Sequence, residues 1–97
     1  MTQEDWPFEN SPRTAVITTR HILDGAPVLR VTHDAEDGAW QFLPGAPVGT
    51  EDGKVVGLGE MCKRDPTLLD LADLPEGWRA SRKRVGAPWQ RAPVTED

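Results

Sequence analysis

The sequence predicts an α+β fold, with an antiparallel sheet of about four or five strands and one or two short helices packed on it. Two observations carry the prediction. Short β-branched or alternating apolar runs recur at residues 14–19, 28–33, 39–43 and 78–83, the pattern of half-buried strands. Helical spacing of apolar side chains is confined to one stretch between residues 58 and 74.

Residues 1–12 read as an extended arm, with Pro7 and Pro12 among polar residues. Trp6 and Phe8 are expected to pin it to the body, because two neighbouring aromatics are costly to leave in water. TAVITT, residues 14–19, suits a strand through its β-branched side chains. Arg20 to Asp24 form a short helical turn closed by Gly25. In VLRVTH, residues 28–33, alternation places Leu29, Val31 and His33 on one face, with Leu29 and Val31 towards the core. Asp37-Gly38 makes residues 34–38 a turn, because glycine accepts positive φ. AWQFL follows, with Trp40 and Phe42 on one face, so residues 28–43 form a hairpin.

Pro44, Gly45, Pro47 and Gly49 exclude regular structure up to about residue 53. A short strand is expected at 54–57, then a helix with Leu58, Met61 and Cys62 on one side. Asp65-Pro66 starts a second helix: the carboxylate can accept from first-turn amides, and proline suits the first helical position. Leu68, Leu69, Leu71 and Ala72 supply its apolar side, and Leu74-Pro75-Glu76-Gly77 ends it. WRASRK, residues 78–83, sets Trp78, Ala80 and Arg82 against Arg79, Ser81 and Lys83, a strand with one buried side. Gly86 and Pro88 turn the chain before Trp89.

Ninety-seven residues are enough for one domain, at 13–92, with the chain fraying from Ala92 and a flexible tail at 93–97. No apolar run approaches the ~20 residues of a spanning helix, so no membrane partner is expected. A lone cysteine excludes an internal disulfide, and the acidic N-terminus lacks the regions of a secretory signal, so a cytoplasmic location is expected. The net charge of −5 disfavours nucleic acid. That charge is uneven. Residues 1–78 carry six basic and fourteen acidic side chains, whereas residues 79–91 carry five basic ones and no acid.

Little in the sequence points to catalysis. His21, His33 and Cys62 are isolated, without the paired spacing of a zinc site, and read as a surface histidine, a strand-end histidine and a buried thiol. Burial would raise the Cys62 thiol pKa and suppress its reactivity. Gly57 and Gly59 lack the rest of a phosphate-binding fingerprint. No catalytic residue, metal or cofactor is expected. Trp40 and Trp78 are assigned to packing; Trp89, between Arg84 and Arg91, is either a binding centre or a cap over the end of the core.

Several segments together resemble the bacterial domain-of-unknown-function family 2185, also described as immunity-protein-33-like. They are TAVITTRHIL, the hairpin with Asp37, Gly38, Trp40, Phe42 and Gly45, the Asp65-Pro66 helix start, the element Leu74, Pro75, Gly77, Trp78, Ala80 and Arg82, and PWQR, within roughly residues 13–92. The resemblance implies a small bacterial protein, in some members an immunity protein that binds and blocks a toxin, and it carries no catalytic residues over. This chain departs from the pattern where Asp37 precedes Gly38 directly and Ala46 follows Gly45, positions at which related hairpins carry serine and an acid.

Three functions are compatible with this sequence. The first is a non-catalytic protein-binding module that meets a basic, toxin-like partner through the acids Asp34, Glu36, Asp37, Glu51 and Asp52. The second is a subunit of a larger assembly, or a monomer that pairs weakly through a sheet edge. The third is a small anion-binding domain built on Arg79, Arg82, Arg84 and Trp89, since arginine forks suit phosphate and carboxylate.

Overall fold

A computed structural model describes residues 6–94. The fold is α+β. Its strands are β1 (Ala15–Thr19), β2 (Arg30–His33), β3 (Trp40–Leu43), β4 (Gly53–Gly57), β5 (Trp78–Ser81) and β6 (Gln90–Pro93). Its helices are α1 (Arg20–Leu23) and α2 (Leu58–Arg64), with 3-10 turns at Thr50–Asp52 and Pro66–Leu71. The six strands form one sheet in the order β4-β1-β3-β2-β5-β6.

The sheet is mixed, not purely antiparallel. β1 and β3 run parallel, with Ile17 opposite Gln41, and the other neighbours are antiparallel. The β2–β3 hairpin is laid down so that its second strand returns beside β1. A strand inserted there runs in the direction of β1, and its register is held by the hairpin. The additional strand is β6, which reaches Pro93, and the Val94 N–H donates to the Gly77 carbonyl at 2.7 Å. The chain is thus paired beyond Ala92, where fraying was expected. Proline is tolerated because β6 is an edge. Residues 1–5 and 95–97, the ends of the expected arm and tail, lie outside the described residues.

One face of the sheet carries the core. Val16, Trp40, Phe42, Val31 and Ala80 are buried there together with Leu58, Met61 and Cys62 of α2 and Leu68 and Leu71 of the following turn. That turn starts as the sequence predicts: Asp65 accepts from the Thr67 N–H, and Pro66 holds the first position. Phe8 of the arm is buried in the same cluster, edge-on to Trp40 at 5.3 Å between ring centres. Val28 and Leu29 reverse the expected assignment. Val28 is buried and Leu29 half-buried, because β2 begins only at Arg30 and strand alternation does not extend back to them. The opposite face shows Val55, Ile17, Gln41, Thr32, Arg79 and Ala92 in one row across all six strands. Among the described residues no helix is long and apolar enough to cross a membrane.

Candidate functional site

β2 pairs with β3 on one side and β5 on the other, so His33 stands between Trp40 and Trp78. The turn that follows His33 therefore lies against the turn that precedes Trp78. The Gly77 N–H donates to the His33 carbonyl at 2.7 Å, and the Gly38 N–H to the Asp34 carbonyl at 3.0 Å. Both glycines need their freedom: Gly38 has φ +71° and Gly77 φ +83°. A Cβ on Gly38 would stand 2.9 Å from Oε2 of Glu76.

This juxtaposition gathers carboxylates. Asp34 and Asp37 each use one oxygen within the turn, accepting from the Glu36 and Ala39 N–H groups. Glu36, Asp37 and Glu76 are exposed. Beside them is a hollow of about 230 Å³ lined by Glu9, Asn10, His33, Trp40, Asp73 and Glu76, among others. His33 stacks on Trp40 with 3.8 Å between ring centres. Its Nδ1 lies 2.8 Å from the Leu74 carbonyl, which can only accept, so Nδ1 carries the proton. The Trp40 indole N–H donates to Oδ1 of Asn10. Arg91 donates to Asp73 and holds that carboxyl below its usual range. Among the described residues, no three His, Cys, Asp or Glu side chains converge closely enough to hold a metal ion.

Glu51 and Asp52 do not join this group. The 34–38 turn precedes Trp40 and the 44–52 loop follows Leu43, so the two acidic segments sit at opposite ends of β3. Asp52, one of the acids the sequence offers as a partner contact, is buried. It accepts from Nε of Arg20 at 2.7 Å and from the Gly49 N–H at 3.1 Å, and these bonds, in that order, lower its pKa. It ties the loop to α1.

The basic segment is also divided. Arg79 lies on the uncovered face of the sheet, and Lys83 and Arg84 are exposed in the following loop. Arg82 points the other way, with its side chain 1% exposed. It donates to the Val28 carbonyl from Nε and Nη2, to Thr67 Oγ1 from Nη1 and to Asp65 Oδ2 from Nη2. Arg79, Arg82 and Arg84 therefore do not converge on one anion. Trp89 packs half-buried against the core, with the Arg82 guanidinium 4.1 Å from its ring centre. His21 is half-buried, and its buried Nδ1 has no hydrogen-bond partner among the described residues. Cys62 is buried, and desolvation pushes its thiol up to about 11.

Sequence reasoning missed Glu9, Asp73 and Glu76 as companions of the 34–37 acids. Their spacing holds no signal for this, since only the β2–β5 pairing brings residue 76 to residue 38. No family model, curated protein or solved structure matches the chain.

Proposed function

We propose that the chain is a non-catalytic protein-binding module, immunity-like in the sense its sequence resemblance implies, whose acidic end receives a basic partner. The observation that carries this reading is the placement of Glu76 against the 34–38 turn, which makes one surface of side chains that are far apart in sequence. Asp34, Glu36, Asp37 and Glu76 stand in two adjoining turns at one end of the paired strands β3, β2 and β5. Such a surface raises the encounter rate with a cationic partner and rejects an anionic one. Glu51 and Asp52 take no part in this surface.

The test is retention of partners from a native bacterial lysate by the tagged chain and by Glu36→Lys/Glu76→Lys, at low and high salt. A stoichiometric basic protein held by the native chain, lost by about tenfold or more in the variant and released by salt is expected. Equal retention of the same protein by the charge-reversed chain, or no stoichiometric partner at all, defeats the reading.

A further inference from the structure

We infer that the uncovered face of the sheet binds a small amphipathic anion, an apolar chain with a carboxylate head. The apolar half is a hollow of about 430 Å³ between this face and the 48–50 loop. Ile17 and Leu43 contribute from β1 and β3, Val55 from β4, and Val48 from the loop. Ile17 is 39% exposed and Val55 71%, so the apolar surface is open to an incoming chain. The volume falls in the ordinary range of small-molecule sites, about 300–1,000 Å³.

The charged half follows from strand register. Leu43 lies opposite Arg30, and Arg30 opposite Ser81. Adjacent strands are about 4.8 Å apart, so Arg30 stands one strand away from the Leu43 that lines the hollow, on the same face of the sheet. Gln41, also lining it, lies opposite Thr32, which is opposite Arg79. Arg30 and Arg79 are exposed, and neither forms an ion pair among the described residues. Beyond Ser81 a second hollow of about 370 Å³ is lined by Lys83, Arg84 and Gln90. Among the described residues, no carboxylate lines either hollow.

A purely apolar occupant would leave these cations unused, and a bare anion would leave the hollow empty. A guanidinium fork matches a carboxylate in two parallel hydrogen bonds. Nucleic acid would want aromatic platforms, and the row from Val55 to Ala92 contains none. This face is distinct from the acidic end, so the two proposals stand or fall separately.

The probe is decanoate, kept below its micelle concentration and titrated into the isotope-labelled full chain, with amide chemical shifts as readout. Saturable shifts at Ile17, Leu43 and Val48 are expected, with acetate and decanol binding about tenfold more weakly. Arg30→Ala, an exposed change that spares the core, should weaken decanoate by about fivefold to tenfold. Glu36→Lys/Glu76→Lys should bind it as the native chain does. Absence of saturable shifts, shifts centred elsewhere, equal binding of decanol, or an unaffected Arg30→Ala overturns the inference. So does co-sedimentation with anionic phospholipid vesicles by a chain that ignores free decanoate, because the headgroup would then act only within a bilayer.

Discussion

Nη2 of Arg82 lies 2.7 Å from Oδ2 of Asp65, and the same carboxylate accepts the Thr67 N–H that opens the 3-10 turn. One ion pair thereby joins the end of β5 to the start of the helical layer. The same guanidinium holds the Val28 carbonyl and underlies Trp89. A buried pair of this kind is weak evidence for net stability, but removing one partner strands the other charge.

Arg82→Ala should therefore destabilise the chain by about 3–5 kcal/mol. Arg82→Lys should recover little of that, because a single ammonium cannot reproduce the fork that meets Val28, Thr67 and Asp65 together. Urea denaturation with both variants checks this. A lysine variant as stable as the native chain would show that charge, not geometry, is what the site needs.

Acid sensitivity should be traceable to Asp52 and Asp73. Hydrogen bonds from Arg20 and then Gly49 lower the Asp52 pKa, and one from Arg91 lowers that of Asp73. A carboxyl depressed in the folded state contributes stability that is complete above its unfolded pKa of about 3.9 and is lost as pH falls through the folded value. The melting temperature should hold between about pH 7 and 5 and fall below about pH 4. Asp52→Asn should start lower and fall less steeply. Parallel native and variant curves in a thermal-melt series would remove Asp52 from the account.

The strands and helix that carry the core were legible because local pattern and final burial agree: Trp40 and Phe42 alternate inward, and Leu58, Met61 and Cys62 share one helical side. β6 was not legible, since Gln-Arg-Ala-Pro has no β-branched residue and is held by its neighbour β5 instead. The same limit applies to the candidate sites. Arg82 followed the predicted phase of Trp78 and Ala80, yet nothing local says that Asp65 waits beneath it. Nor does sequence spacing place Glu76 beside Gly38 or Arg30 beside Leu43, because both neighbourhoods are products of strand pairing.

Cys62 should behave as an inert thiol in the folded chain. Burial, with a smaller contribution from Asp65, lifts its pKa to about 11, leaving roughly one molecule in a thousand as thiolate at pH 8. Labelling by a disulfide reagent should be slow and limited by opening of the α2 layer, then become immediate in denaturant. Fast stoichiometric labelling of the native chain at pH 8 would contradict a sealed thiol.

The last strand should prove structural. β6 touches the sheet only through β5, but Val94 donates to Gly77, and Arg91 reaches both the Asp73 carboxylate and the Asp70 carbonyl. These contacts close the edge beside Ala80 and brace the turn that carries Glu76. Hydrogen exchange should find the Val94 amide protected by at least about tenfold over an open chain. A chain ended after Trp89 should lose about 2–4 kcal/mol, since it leaves the edge of β5 unpaired and Asp73 without its cation. An unprotected Val94 together with an unchanged melting temperature after truncation would mean that β6 is not held in the sheet. The acidic end would then lose its brace but keep its charges, and binding by the truncated chain would show whether the bracing matters to a partner.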